Sequence, residues 1–404
     1  MSPGGLASYG GLVTRAWRRW LIVLAGTVAL CSIPAVIAAL PVQGSTIGAA
    51  ALRARIMASA ARPFQGYSES TADFGLPSLP DLGNVSMLLD GTTDQYVWYR
   101  SADYWRADVV SAEGENDTYG DGGVTYLWNY GSNSLIQIIG TEPVRLPRAT
   151  DLLPPELARR LLSIAGSAVR LSRLPSRRVA GVAAAGLRVT PTSPGTTIGA
   201  IDIWADPHTG LPVEVQLSAH GSGHPVLISN FLELNQTEPS LDAVTPHPAP
   251  QLGLATARQP DINRILNGDG DGDNDGDPFP AELGGLRLVP IPGSPPGVAI
   301  YGAGLSRLVV LPLPHSLGPQ ALNAAVQAGA DVVSLTGQTG AVIRTPLLNV
   351  LMVTAGFHHA TWLFAGAVTP AVLEKAANSM INDLNHFRFR RPPPGGPARA
   401  KVAR

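Results

Sequence analysis

The sequence predicts an α+β protein: a long antiparallel meander followed by a smaller strand-and-helix domain. Three observations predict it. From Phe64 to Leu234 apolar residues recur with period two over many short runs, the pattern of half-buried strands. One helical pattern precedes this stretch and one interrupts it. Beyond it, a Pro-rich and then Asp/Gly-rich stretch leads to a second set of strands, closed by an amphipathic helical pattern at Thr369–Asn382.

The chain begins with a segment of a different kind. Residues 1–20 are Gly/Ser-rich and then basic, and read as a cytoplasmic tail. Leu21–Val42 carries no charge and follows Arg15, Arg18 and Arg19. At ~1.5 Å per residue such a helix just crosses a ~30 Å hydrocarbon core. The arginines hold its N-terminal side in the cytoplasm. The expectation is a single-pass membrane anchor with the bulk of the chain extracytoplasmic. The alternative is a signal peptide, cleaved to leave a secreted protein. The single cysteine, Cys31, lies inside the apolar run, so the exported part has neither disulfide nor thiolate site. A net charge of −1 gives the whole chain no electrostatic case for a nucleic-acid partner.

The first domain is read as 45–235. Ala49–Arg62 is an amphipathic helix, with Leu52, Ile56 and Ala60 at helical spacing, and Pro63 stops it. A strand follows at Tyr67–Phe74, and Val85–Leu89 is a short apolar run within the period-two stretch. Gln95–Arg100 and Tyr104–Val110 form a hairpin, and Asn116–Gly123 reads as a polar turn. Val124–Tyr130 and Leu135–Ile139 are strands, and Leu152–Leu162 is a helix with prolines in its first turn. Short strands are read at Val169–Leu174, Arg178–Val182 and Gly186–Thr190. Ala200–Trp204 and Pro212–Ser218 flank the turn Asp206–Gly210, and Val226–Leu234 closes the set.

Residues 236–282 read as a linker and 283–387 as the second domain. Its strands are Val298–Gly302, Leu305–Leu313, Ala341–Thr345, Leu347–Thr354 and Ala360–Ala367, with helices at Ser316–Gln327 and Thr369–Asn382. Thr369 is the N-cap of the last helix and Pro370 its first residue. Residues 388–404 are a basic, Pro/Gly-rich tail.

Certain stretches resemble known families. Val97-Trp98-Tyr99, Trp105-Arg106 and Trp204-Ala-Asp-Pro-His-Thr-Gly-Leu-Pro212 make the first domain similar to the LolA-like fold. That resemblance implies an open antiparallel half-barrel covered by helices. Val298-Ala-Ile-Tyr-Gly-Ala-Gly-Leu305 and Trp362-Leu-Phe-Ala-Gly-Ala-Val368, followed at once by Thr-Pro-Ala-Val-Leu373, make the second domain similar to the C-terminal domain of RseB/MucB-type sigma-factor regulators. The resemblance implies a lipid or lipoprotein acyl chain and an anti-sigma factor as partners. The ligand-binding candidates are Trp98, Trp105, Tyr126, Trp128 and Tyr130. They line the apolar cleft that the fold implies, or else fill a core. Tyr301 and Trp362 are the partner-binding candidates.

No nucleophile elbow, phosphate loop or HExxH pattern is present, so no catalytic residues and no enzyme are expected. One motif has metal-binding spacing: Asp271, Asp273, Asp275 and Asp277 with Glu282 match a calcium loop, including the glycine at its sixth position. Pro278 and Pro280 oppose that reading, and a solvated linker without a cofactor is the alternative. The expected function is a membrane-tethered, lipid-binding regulator of an envelope-stress sigma system. A lipid carrier working with a membrane transporter is one alternative, and a calcium-stiffened surface protein is another.

Overall fold

The structure is a computed structural model that describes residues 20–21, 23–27, 42, 44–76, 83–111, 114–129, 134–139, 145–247, 254–258, 279–291, 297–314, 317–356 and 360–390. The chain divides into two units, Met1–Gly44 and Ser45–Arg404. In the first, residues 23–27 are helical and the Thr27 hydroxyl donates to the Val23 carbonyl at 2.9 Å. Most of the charge-free run lies outside the described residues. Among the described ones no helix is long and apolar enough to cross a membrane.

The second unit holds two sheets. The first comprises β1 (Phe64–Asp73), β2 (Asp90–Tyr99), β3 (Tyr104–Ser111), β4 (Gly114–Asp121), β5 (Val124–Asn129), β6 (Ser134–Ile139), β7 (Val169–Val179), β8 (Val182–Pro191), β9 (Ile198–Ala205), β10 (Pro212–Ala219), β11 (Leu227–Asn235) and β12 (Leu254–Arg258). Their order is β12-β6-β5-β4-β3-β2-β1-β11-β10-β9-β8-β7, so the sheet is open, with β12 and β7 at its edges. Neighbours are antiparallel, except that β12 runs parallel to β6. β12 falls within the stretch that the sequence reads as linker.

Three local readings change. Val85–Leu89 is not a strand but part of helix α2 (Gly83–Leu89). The turn read at Asn116–Gly123 is the polar strand β4, and the chain reverses only at Gly122 and Gly123. Arg178–Val182 is the β7–β8 hairpin, turning through Ala180 and Gly181, both with positive φ.

Two helices cover one face of this sheet. α1 (Ala49–Ala58) buries Leu52 and Ile56, and α3 (Pro154–Ala165) buries Leu157, Ala158, Leu162 and Ala165. Its prolines sit at the first turn, where their missing N–H groups have no helical partner to lose. These side chains pack with Leu187, Val189, Ile201, Ile203, Val215 and Leu217 of the sheet. At ~1.5–3 kcal/mol for each large aliphatic side chain buried, this packing is a main source of stability.

The second sheet has β13 (Glu282–Leu283), β14 (Leu286–Val289), β15 (Ala299–Ala303), β16 (Ser306–Leu313), β17 (Asp331–Leu335), β18 (Gln338–Ile343), β19 (Asn349–Ala355) and β20 (Ala360–Gly366), in the order β13-β14-β15-β16-β20-β19-β18-β17. Helix α6 (Pro370–Arg390) sets Leu373, Ala376, Ala377, Met380 and Ile381 on Leu308, Val310, Leu351 and Phe364. Helix α5 (Gly318–Gln327) closes a smaller cluster with Ala325, Ala341 and Met352.

The two sheets are bonded to each other. Thr197 N–H donates to the Ala367 carbonyl at 3.1 Å and Thr369 N–H to the Gly195 carbonyl at 2.9 Å. The Thr197 hydroxyl donates to Leu347 O at 2.5 Å. Leu305 and Leu347, from the second part of the chain, belong to the core beneath α1 and α3.

Candidate functional site

In a strand, successive side chains point to opposite faces, and pairing carries each face across the sheet. On the helix-covered face, Val97 is aligned with Ala107, then Thr118, Leu127 and Ile136. A second row on that face runs from Tyr99 through Trp105, Gly120 and Thr125 to Ile138. Gln95 donates to the Ala149 carbonyl and Ser70 to the Leu152 carbonyl, which fixes the polypeptide before α3 on this side.

The first row changes character along its length. Val97 and Ala107 are fully buried, whereas Thr118, Leu127 and Ile136 are half-buried. α1 and α3 lie over β7–β11, and the first row is left half-buried along β4–β6, while Ile138 at the end of the second row is buried. Trp105 is held here by a close approach. A Cβ on Gly120 would lie 2.2 Å from the Trp105 indole nitrogen, so only glycine leaves the ring its place.

The opposite face carries charge and aromatic rings. Gln65 donates to Thr237, and Arg100 donates to Pro239 O and pairs with Glu238, so the chain after β11 crosses this side. It continues into α4 (Leu241–Val244), which packs on β2–β4. Beneath lies Arg106, bonded to Asp108 at 2.6 Å and to Asp117 at 2.9 Å. Its guanidinium lies 5.0 Å from the Trp98 ring centre and 5.2 Å from that of Tyr119, whose hydroxyl donates to Asp117. Asp108 and Asp117 are 2% and 1% exposed, so two buried carboxylates share one half-buried cation.

Burial, and after it the charge of Asp117, pushes Asp108 up to about 7 against the pull of Arg106. Burial also raises the Tyr119 phenol, keeping it a neutral donor. Asp108, Glu115 and Asp117 each bring one carboxylate oxygen within 4.8 Å of the others, a set of hard donors that suits calcium or magnesium. The Arg106 guanidinium already binds two of the three, so the cluster reads first as an internal ion network.

The sequence-derived candidates divide between these faces. Trp98, Tyr126 and Trp128 share the charged face, on which Tyr126 and Trp128 are half-buried. Tyr67, Tyr96 and Trp98 continue it as a ladder of rings, with centroids 4.6 and 6.3 Å apart. Trp105 alone stands on the helix-covered face. Tyr130 and Asp271, Asp273, Asp275 and Asp277 lie outside the described residues. Glu282 is exposed in β13 and aligned with Arg287. Tyr301 is fully buried and donates its hydroxyl to Pro280 O at 2.8 Å. Trp362 is 6% exposed and meets Phe279 edge-on. Both belong to the core of the second sheet and offer a partner no surface of their own. A separate cleft of about 400 Å³ lies between Gly75, Leu76 and Asp90 on one side and residues 328–331 and 342–344 on the other.

No family model matches the chain, and no curated protein matches it. Solved structures do resemble it. The chain is similar to the complex of MucA and MucB from Pseudomonas aeruginosa, at 18% identity over 82% of this chain and 97% of that one, with a TM-score of 0.46. A crystal structure of MucB is similar at 18% identity, covering 82% and 96%, with a TM-score of 0.41. A LolA superfamily protein from Nitrosomonas europaea is similar at 10% identity over 50% of this chain and 99% of that one, with a TM-score of 0.23. At TM-scores below 0.5 these likenesses decide nothing about what this chain binds, which rests on its own strands and side chains.

Proposed function

We propose that this protein is a membrane-tethered, extracytoplasmic regulator that binds an apolar chain on the first sheet and passes that state to a protein partner of the anti-sigma kind. One observation carries the ligand half of the reading: the row Val97, Ala107, Thr118, Leu127, Ile136 runs from fully buried to half-buried without a covering helix among the described residues. An acyl chain laid along this row extends the core. Each buried methylene contributes ~0.8 kcal/mol, so ten outweigh a modest ordering cost. Trp105 and Leu127 line this path, whereas Trp98, Tyr126 and Trp128 face the ion network.

The tether and the partner rest on the charge-free run and on the sequence resemblance. The bonds at Thr196 and Thr197 favour a regulator whose two sheets respond as one body over one in which a loose linker lets them swing. Binding of a fluorescent fatty acid to the full chain tests the ligand half. The reading expects saturable binding that Trp105→Ala weakens, and absence of binding would overturn it.

A further inference from the structure

The near-zero net charge hides a segregation. Residues 45–62 contain Arg53, Arg55 and Arg62 and no Asp, Glu or Lys. Residues 157–201 contain seven arginines, and again no Asp, Glu or Lys. The fold brings these two stretches together, because α1 packs on β7 and β8 and β7 is the edge of the first sheet. Outside these two stretches and the basic ends of the chain, Asp and Glu outnumber Arg and Lys.

The arginines at this edge bond to backbone carbonyls. Arg53 donates to the Leu162 and Gly166 carbonyls, Arg55 to Pro207 O, Arg173 to Ser45 O and Arg178 to Gly181 O. All these acceptors are neutral. Arg55, Arg170, Arg173 and Arg178 are exposed. Arg177 and Arg188 behind them are neutralised by Glu214 and Asp202. From Arg170 to Arg178 the edge extends roughly 26 Å at ~3.3 Å per residue.

We propose that this α1–β7 edge lies against an anionic membrane surface. The choice of a lipid surface over an acidic protein follows from where the chain enters. Ser45, the first residue of the folded unit, donates its N–H to Ser176 of β7 and accepts from Arg173. The chain therefore enters the folded unit at the basic edge itself. Arginine near a negatively charged bilayer is attracted to it, and salt screens that attraction. The edge then sets β7 nearest the bilayer. The inference rests on the tethered reading above.

The test uses vesicle flotation of Ser45–Arg404, whose cores close within the unit, so that the tether contributes nothing to the result. Vesicles of phosphatidylcholine alone are compared with vesicles that also contain phosphatidylglycerol, at low and high salt. Binding is expected only with phosphatidylglycerol and at low salt. Arg170→Glu, Arg173→Glu and Arg178→Glu together should weaken it at least roughly tenfold. The pair Arg170→Gln and Arg178→Gln, which spares the Arg173 contact with Ser45, should weaken it less, with an unchanged melting temperature. Equal binding to both vesicle types, salt-insensitive binding, or indifference to the arginine substitutions would overturn the proposal. So would binding to polyglutamate but not to anionic vesicles, which would assign the edge to an acidic protein. Protease access in intact cells tests the tether separately.

Discussion

Thr196 and Val368 form a main-chain β-bridge between the two sheets. The Thr196 hydroxyl reinforces it, lying 2.9 Å from Ala367 O and 3.2 Å from Leu305 O, while Thr196 is fully buried. Replacing the hydroxyl by a methyl group leaves two carbonyls of the second sheet without that donor. Thr196→Val should cost about 1–3 kcal/mol. Urea unfolding followed by near-ultraviolet and far-ultraviolet signals checks it. One transition is expected in the parent and a lowered midpoint, or two transitions, in the variant.

Gly120→Ala should displace Trp105, because the added methyl carbon falls on the indole. Overpacking of this kind costs about 1–3 kcal/mol. Thermal unfolding reads the cost, and a shift in tryptophan emission reads the displacement. An alanine tolerated without either change would place the indole elsewhere.

Asp108 gives stability a pH dependence of defined sign. Its value is raised from the ordinary 3.8 to about 7 by burial, so between these limits the folded state binds the proton that the unfolded state has released. This contribution is complete below the lower value and is lost as pH rises through the upper one. Asp108→Asn, which never ionises, should flatten that fall. Urea midpoints across the same range, for both proteins, make the comparison.

Trp362→Ala removes a side chain that is 6% exposed beside Phe279. A buried tryptophan truncated to alanine costs about 3–5 kcal/mol. The loss should appear as global destabilisation in a urea titration, not as a defect confined to partner binding. Tyr301→Phe, which removes only the bond to Pro280 O, should cost about 1 kcal/mol in the same experiment.

The meander, the covering helices and the final amphipathic helix were legible because each buries a regular apolar pattern. β4 was not. Gly-Glu-Asn-Asp-Thr-Tyr-Gly-Asp has the composition of a turn, and only pairing with β3 and β5 makes it a strand. With β4 went the ion network, since Asp117 and Tyr119 lie on it. A signal for that network existed: Arg106 and Asp108, two apart in an apolar strand, must share a face. The division of the tryptophans was legible too. The hairpin sets Tyr99 opposite Trp105, so Trp98 and Trp105 fall on opposite faces. The burial of Tyr301 and Trp362 had no local signal, because an aromatic residue in a glycine-flanked strand fits a surface as well as a core. The junction at Thr196 joins residues far apart in sequence, beyond the reach of any local pattern.

The most direct test of ligand binding on the helix-covered face is native mass spectrometry of the protein purified from membranes, comparing Leu127→Asp with Trp98→Ala. Leu127 stands on the apolar row, and Trp98 faces Arg106 on the other side of the same sheet. The expected result is a non-covalent lipid adduct on the parent and on Trp98→Ala, and its loss from Leu127→Asp. An adduct that survives Leu127→Asp and disappears with Trp98→Ala would contradict the assignment, and its absence from the parent would remove the ligand altogether.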